Sequence, residues 1–492
     1  MLNLYPDSIG SSLRDAADFL SLPELRDCFG SVYVLPSIYH SDLDRGFCVL
    51  DYDLNEELAT TKDLKRLKAL GLDLKLDIVL NHASVQSPQF QDLLKNGEQS
   101  EYRDFFINWN EFWTGCGEMT PDGYIQPEAQ YLKDMFFRKP GLPILMVRFP
   151  DGREVPYWNT FYQKVWEENG ERKYLGQMDL NIHSPKVWQF YDETLSKLAA
   201  YGAKIIRLDA FAYAPKAPGR RNFMNEPETW DTLARVKELA DRYDLTLLPE
   251  IHASYGEGVF KKIAQQGYMT YDFFLPGLIL DAIENHSGEY LAEWANELIR
   301  DNVQTVNILG CHDGIPLLDL KGLLPDERIE GLIDAVVSRG GYVKNLHGAK
   351  NMYYQVNATY FSALGEDEDK LLLARAIQMF MPGKPQVWYL DLMAGANDYE
   401  AMHLAGEGGH KEINRTNLTA EEVHRRLALP VVRKQLELLR MRNTHPAFKD
   451  DAAISASATS HQLEVRWQRG KAFALLTVEF KTNRFSIDVS PV

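Results

Sequence analysis

The chain has 492 residues and carries 53 Lys and Arg against 70 Asp and Glu, a formal charge of −17 at pH 7. This acidic balance argues against binding of nucleic acid or of an anionic membrane through a basic face. Hydrophobic residues make up 45% and charged residues 25% of the chain, which is typical of a globular protein. The N-terminus lacks the apolar core of a signal peptide, and no window approaches the roughly 20 apolar residues of a membrane helix. We expect a soluble protein that is not exported.

Short aliphatic and β-branched runs alternate with longer segments of helical period, as in parallel strands joined by crossover helices. Strands are predicted at the N-terminal LNLYP and at 32–36, 74–82, 205–211, 245–252, 268–274, 305–313 and 386–393. Helices are predicted over 57–71, 185–202 and 227–243. Eight strand units of this kind predict an α/β fold, a (β/α)8 TIM barrel.

Three segments depart from the barrel pattern. An aromatic, Pro- and Gly-rich stretch without clear helical period predicts an inserted subdomain after strand 3, and a smaller insertion is expected after strand 7. The alternating pattern near the C-terminus predicts an antiparallel β domain. We expect three barrel segments at 1–82, 178–313 and 367–440, with inserted domain B at 83–177, a small inserted subdomain at 314–366 and the C-terminal β domain at 441–492.

The cysteines favour neither a zinc site nor a disulfide framework. They are Cys28, Cys48, Cys116 and Cys311, scattered without C-x-x-C spacing. Such usage is typical of a reducing compartment, so we expect a cytoplasmic location.

Charged residues cluster at the carboxyl ends of the predicted strands, where barrel enzymes build their sites. Arg207 and Asp209 are two residues apart, so an extended strand aims both to one side. Glu250 and His252 have the same relation, and Asp313 ends the seventh strand. Any one of these residues is explained by a capping or ion-pair role. Together at one barrel mouth, however, they repel and desolvate one another, which favours a functional site.

Neighbouring carboxylates of this kind suit cleavage of a glycosidic bond. Arg207 would keep Asp209 ionised and oriented, as a nucleophile requires. Glu250 follows an apolar run ending in Pro249, and a poorly solvated carboxyl makes the better general acid.

The segments LDIVLNH, GAKIIRLDAF, LLPEIH and the His-Asp pair of ILGCHDGI resemble the four conserved regions of the α-amylase family of retaining α-glucosyl enzymes. The likeness covers nearly the whole chain, including the insertion after strand 3 and the C-terminal sheet. The resemblance implies Asp209 as nucleophile, Glu250 as acid/base and Asp313 as the carboxylate that holds the glucose hydroxyls. The glucose-site ligands that it implies are Arg207, His82 and His312.

Cys311 stands where hydrolytic members usually carry Asn. CHDGI, together with YYQVNATYFSAL, MPGKPQVWYL, AGAND and EINR, resembles the sucrose phosphorylase subfamily. This resemblance implies that phosphate, not water, resolves a β-glucosyl-enzyme to give α-glucose 1-phosphate, with no metal or other cofactor. An α-glucoside hydrolase or transglucosidase and an inactive sugar-binding relative are the alternatives; CHDGI and YQVN argue against the former, and the three retained carboxylates against the latter.

The subfamily resemblance also implies the contacts around the scissile bond. The implied substrate contacts are Asp44 and Arg415 on the distal hydroxyls, Phe47 and Phe161 beside the ring, and Gln177, Tyr353 and Gln355. The implied phosphate contacts are Tyr213, His252, Tyr354 and a cation from Arg138 and Lys139. For that pair of cations a solvated loop is the alternative, because members often show Arg-Pro-Arg-Pro-Gly where this chain has Phe-Arg-Lys-Pro-Gly.

The acceptor loop departs from that of the sucrose-cleaving members. Met352 stands where they carry an Asp that contacts fructose, and loss of a hydrogen-bonding partner lowers affinity for that sugar. The extra aromatic Tyr353 narrows the pocket, so we predict glycerol as acceptor and 2-O-α-glucosylglycerol as substrate. Sucrose, sucrose 6-phosphate and glucosylglycerate are the alternatives. The last two need additional cations, for which His347 and Lys350 are available.

Overall fold

The computed structural model describes residues 1–343, 355–406 and 409–491. Its centre is a barrel of short parallel strands, numbered here β1 to β8 in chain order. They are β1 (Leu2–Leu4), β2 (Ser31–Val34), β3 (Asp73–Val79), β4 (Ala203–Asp209), β5 (Thr246–Pro249), β6 (Thr270–Asp272), β7 (Thr305–Asn307) and β8, which comprises Lys384–Pro385 and Val387–Trp388. One ladder runs β5-β4-β3-β2-β1-β8 and the other β6-β7-β8, so β8 joins the two. The predicted (β/α)8 barrel is confirmed.

Helices cover the outside of the barrel. The three predicted helices are confirmed as Thr61–Ala69, Pro185–Ala200 and Glu228–Asp241. Their starts carry recognisable signals, because Thr60 and Asp63 form a capping box and Pro185 occupies the first turn. The remaining helices of the barrel layer are Leu13–Leu20, Val259–Gln265, Leu275–Glu284, Glu289–Arg300, Glu368–Phe380, Tyr389–Leu392, Tyr399–Ala405, Ala420–Leu427 and Pro430–Thr444.

A large insertion leaves the barrel after β3. Its stem is an antiparallel pairing of His82–Ser84 with the end of the strand Glu171–Asp179. Its other elements are the helices Pro88–Asn96, Trp109–Phe112 and Ala129–Leu132 and the strands Gly117–Met119, Ile125–Pro127, Ile144–Arg148, Glu154–Trp158 and Gln163–Glu168. Within it, Trp109, Trp113 and Trp158 pack in a separate apolar cluster. The sequence showed no helical period here because these helices are short.

Two further segments frame the mouth of the barrel. Strands Tyr39–Leu43 and Cys48–Leu54 form an antiparallel pair after β2. After β7, helix Asp326–Ser338 precedes an antiparallel pairing of Tyr342–Val343 with Val356–Asn357, followed by helix Tyr360–Ala363.

The C-terminal segment is a four-stranded antiparallel sheet, as the alternating sequence predicted. Its strands are Ala453–Ala458, Gln462–Arg469, Ala472–Glu479 and Arg484–Val489. Trp467 Nε1 donates a hydrogen bond to Phe380 O at 2.7 Å and so attaches this sheet to a barrel helix. The expected boundary between 440 and 441 falls inside helix Pro430–Thr444. Over the described ranges, the helices are too short or too polar to pass through a lipid bilayer.

Candidate active site

The predicted catalytic carboxylates meet at the carboxyl ends of the barrel strands. Asp209 ends β4, and Ala210, whose φ is 51°, turns the chain immediately after it. Arg207 Nη1 donates to Asp209 Oδ1 at 2.8 Å and to Asp77 Oδ1 at 2.6 Å. Arg207 Nη2 lies 3.5 Å from Glu250 Oε1. One buried guanidinium therefore connects the ends of β3, β4 and β5.

Asp313 is surrounded by cations and hydrogen-bond donors. His312 Nε2 lies 3.1 Å from Asp313 Oδ2, and Lys411 Nζ lies 2.7 Å from Oδ1. Lys411 also approaches Asp44 at 3.4 Å, and Arg415 Nη1 donates to Asp44 Oδ1 at 3.2 Å. Burial alone would raise the pKa of Asp313, but these neighbours lower it well below its usual value. Asp313 is therefore ionised throughout the neutral range.

The loop that carries Asp44 is held in a strained conformation. Asp44 and Arg45 have φ of 47° and 46°, the left-handed region that non-glycine residues rarely adopt. Gly46 has φ of 112°, and a Cβ there would lie 2.0 Å from Ser37 N. Only glycine allows this loop to press against the turn at 36–38, and that contact directs Asp44 toward the site.

Aromatic rings and amides line the same side of the mouth. The Phe47 ring stacks on His312 with centroids 4.8 Å apart and an interplanar angle of 10°. Phe47 O accepts a hydrogen bond from Gln177 Nε2 at 3.1 Å and lies 2.9 Å from His82 Nε2. The Phe161 ring is 5.1 Å from that of His82. The structure thus brings these five predicted substrate contacts together.

His252 lies between two carboxylates. Its Nε2 is 3.1 Å from Glu250 Oε1, and its Nδ1 is 3.0 Å from Asp319 Oδ2. The ring stacks on Phe273, with centroids 3.9 Å apart, and the Gln355 amide nitrogen is 3.3 Å from its Nε2. Burial alone would lower the pKa of His252, but Asp319 and Glu250 raise it to about 10. The imidazole is therefore a cation at neutral pH.

Asp209 and Glu250 share Arg207, so their ionisations are linked. Burial raises the pKa of Asp209 against the opposing charge of Arg207, and the negative charge of Glu250 adds to this rise. Burial would also raise the pKa of Glu250, but Arg207 and His252 outweigh it and lower that pKa. The proton between Glu250 and His252 consequently rests on the imidazole.

The predicted phosphate cations differ in their surroundings. The Arg138 guanidinium lies 5.7 Å from the centre of the Phe161 ring and 6.0 Å from that of Tyr213. Lys139 instead donates to Asn159 Oδ1 within the insertion, and burial lowers its pKa to about 8. Tyr353 and Tyr354, together with Met352, His347 and Lys350, lie outside the described residues.

Three charged residues at the site were not assigned roles from the sequence: Asp77, Asp319 and Lys411. Asp77 is a strand-end carboxylate, and Lys411 lies four residues before Arg415 in the motif-bearing segment. Asp319 is an isolated acid in the apolar run PLLDL, a pattern that by itself signals a buried ion pair.

The charges at the site do not favour a metal ion. Arg207, Lys411 and Arg415 already lie within 3.8 Å of the site carboxylates. A divalent cation at the mouth would face the repulsion of these three groups.

Residues 28–276 match the family model described as the α-amylase catalytic domain. A sucrose 6(F)-phosphate phosphorylase of Ilumatobacter coccineus is 57% identical over 99% of this chain and 95% of its own length. A glucosylglycerol phosphorylase of Marinobacter adhaerens is 33% identical over 97% of this chain and 94% of its own. The crystal structure of sucrose 6F-phosphate phosphorylase from Thermoanaerobacter thermosaccharolyticum superposes with a TM-score of 0.89, at 34% identity, over 99% of this chain and 94% of that one.

The chain therefore belongs to the α-amylase family, and within it to the sucrose phosphorylase group. It is an enzyme, a glycoside phosphorylase.

Lys411 contacts both Asp44 and Asp313, so a variant at this position tests the pocket that these two carboxylates form. We expect Lys411→Met to raise KM for α-glucose 1-phosphate about 10-fold, because Asp313 and Asp44 both lose a partner that orients them. Initial rates with varied donor measure this effect. Lys434→Met, which changes an exposed helical lysine in the same way, serves as control. An unchanged KM in Lys411→Met would show that the pocket is preorganised without this cation.

Proposed function

We propose that the enzyme carries out reversible phosphorolysis of sucrose 6F-phosphate, giving α-glucose 1-phosphate and fructose 6-phosphate. The observation that carries this choice is the 57% identity, over 99% of the chain, to the sucrose 6(F)-phosphate phosphorylase of Ilumatobacter coccineus. The glucosylglycerol phosphorylase is only 33% identical over a similar span. The cysteines of the described residues are all free thiols, which supports a cytoplasmic enzyme.

In the proposed first half-reaction, Asp209 attacks the anomeric carbon. Arg207, 2.8 Å from Asp209 Oδ1, orients this carboxylate and favours its ionised form. Glu250 passes to the departing oxygen a proton taken from the cationic His252, 3.1 Å away, and the imidazole, whose pKa is about 10, takes up a proton from solvent before phosphate binds. A β-linked glucosyl-Asp209 ester results, while Asp313 and Asp44 accept hydrogen bonds from the glucose hydroxyls.

In the proposed second half-reaction, a phosphate oxygen attacks the same carbon and displaces Asp209. Glu250 takes up the proton of the attacking phosphate and releases it to solvent, which balances the proton that His252 took up. Phosphate must approach a mouth lined by carboxylates, and it therefore needs compensating charge. His252 supplies such charge, with Arg138 and Tyr213 as further predicted contacts beside Phe161.

The acceptor phosphate requires a cation of its own. His347, Lys350 and Gln355 belong to the acceptor-loop sequence, and Gln355 contacts His252. These two side chains are our candidates for the fructose 6-phosphate group, because charge-assisted hydrogen bonds to phosphate need Lys, Arg or protonated His donors.

Glucosylglycerol is the second candidate substrate. It is favoured by Met352 in the place of the fructose-binding Asp and by the extra aromatic Tyr353. A small neutral polyol would make no use of His347 and Lys350, and this is why we place it second.

Acceptor-dependent release of phosphate from α-glucose 1-phosphate distinguishes these candidates. We expect fructose 6-phosphate to support release with a kcat/KM at least about 10-fold above that of glycerol, fructose or glycerate, since loss of a charged partner costs roughly 1.5–3 kcal/mol. A higher value with glycerol would overturn the sucrose 6F-phosphate assignment in favour of the polyol. The double variant His347→Gln, Lys350→Gln should lose this preference while it retains activity with unphosphorylated fructose.

A further inference from the structure

The two carboxylates that flank His252 come from different barrel units. Glu250 follows β5 on the same strand end, whereas Asp319 belongs to the short turn Leu318–Leu320 after β7. Asp319 and the imidazole are both buried, with 7% and 3% of their side chains exposed. Each ring nitrogen therefore has its own carboxylate partner, and both partners are shielded from water.

The backbone fixes the position of Asp319. Gly256 N donates to Lys321 O at 3.0 Å, which ties the turn after β5 to the turn after β7. The chain at Gly322, with φ of 92°, passes so close that a Cβ there would lie 3.0 Å from Gly256 Cα. Asp319 is thus held against His252 by packed loops as well as by the ion pair.

We infer that Asp319 is a positioning residue that acts through His252. It fixes the orientation of the ring and favours protonation of both ring nitrogens, so that the phosphate groups of the substrates meet a cation when they bind. This inference rests on the role of His252 as a phosphate contact in the proposed function.

The charges around His252 agree with this role. Asp319 and Glu250 face it directly, and Asp313 and Glu257 act on those two carboxylates from the neighbouring loops. Arg207, close to Glu250, opposes the positive charge on the imidazole. Two further neighbours among the described residues, Phe273 and Gln355, carry no charge. The attraction between the imidazolium and two carboxylates within 3.1 Å exceeds the repulsion from one arginine behind Glu250.

Asp319→Asn tests the charge separately from the shape. The amide oxygen of Asn still accepts a hydrogen bond from Nδ1, but the variant loses the negative charge that stabilises the imidazolium. The pKa of His252 should then fall from about 10 toward its ordinary value of 6.5. Above the new pKa the cationic fraction falls about 10-fold for each pH unit.

The measurement is KM for phosphate in phosphorolysis between pH 5.5 and 8.5, expressed as the ratio of variant to wild type so that the ionisation of phosphate cancels. We expect a ratio near one at the acid end that rises about 10-fold per pH unit above the new pKa. A ratio independent of pH would overturn the inference. Glu257→Gln, which removes a nearby negative charge without touching His252, should give a flat ratio.

Two further variants keep the test decisive. Asp319→Glu retains the charge and should give a pH-independent ratio; a pH-dependent ratio there would contradict the proposed role. His252→Gln should raise KM for phosphate about equally at all pH values. If His252→Gln leaves that KM unchanged, the phosphate role of His252 in the proposed function fails. If His252→Gln raises that KM but the ratio for Asp319→Asn is independent of pH, the inference about Asp319 fails and the phosphate role of His252 stands.

Discussion

Asp209→Asn is expected to lower kcat at least about 10⁴-fold, because the variant has no carboxylate to form the glucosyl ester. Neither of two nearby carboxylates in the described part of the chain can substitute, because Asp313 is tied to His312 and Lys411, and Asp77 is buried behind Arg207. Initial rates of phosphorolysis measure the loss. A circular dichroism melt within a few degrees of wild type serves as control for folding. Activity within 10-fold of wild type would contradict the assignment.

A chemical rescue identifies the nucleophile independently. Asp209→Gly leaves space beside the anomeric carbon, and azide should enter it and displace fluoride from α-glucosyl fluoride. One displacement inverts the centre, so the expected product is β-glucosyl azide. An α-configured azide from this variant would assign the missing group to the acid/base instead. NMR spectroscopy of the product distinguishes the two anomers directly.

Glu250→Gln should produce the second large effect, and its size should depend on the leaving group. With a sugar alcohol as leaving group, loss of proton donation should lower kcat by about 10²–10⁴-fold. With α-glucosyl fluoride, whose leaving group needs little proton donation, formation of the glucosyl-enzyme should fall by less than about 10-fold. Stopped-flow release of fluoride against turnover of the natural substrate measures this difference.

The matched experiment for this residue uses Glu250→Ala with azide. Azide should attack the glucosyl-Asp209 ester and give α-glucosyl azide, the anomer opposite to that from Asp209→Gly. Equal losses for fluoride and alcohol leaving groups would show that Glu250 does not donate the proton. Glu257→Gln, on the neighbouring turn, provides a control with the same chemical change.

The barrel could be predicted from the sequence because each strand is a contiguous apolar run. Arg207 and Asp209 face the same way by the two-residue repeat of a strand, and the chain leaves the strand directly after Asp209. The strands are shorter than the predicted runs, because the charged residues at the carboxyl ends of several runs leave the parallel hydrogen-bonding pattern and form the site. The helix Pro88–Asn96 was missed because it lies within an aromatic, Pro- and Gly-rich stretch that shows no helical period as a whole.

Residues that act through contacts distant in sequence were not predictable in this way. Asp319 is 67 residues from His252, whereas Asp44 and Arg415, which are 371 residues apart, were predicted together only through the family resemblance. Nothing in the run PLLDL specifies which cation its carboxylate meets. Lys139 was predicted beside Arg138 as a phosphate cation, and in the structure it donates a hydrogen bond to Asn159, a partner that the local sequence does not specify.

The sequence by itself determined the barrel, the positions of Asp209 and Glu250 at strand ends, and through its motifs the sucrose phosphorylase group. These properties depend on local periodicity and on residues adjacent in the chain. Only the tertiary structure decided the charge state of the site: Arg207 shared by three carboxylates, Lys411 between Asp44 and Asp313, and His252 between Glu250 and Asp319. Electrostatic interactions depend on distance and burial, and packed loops set both.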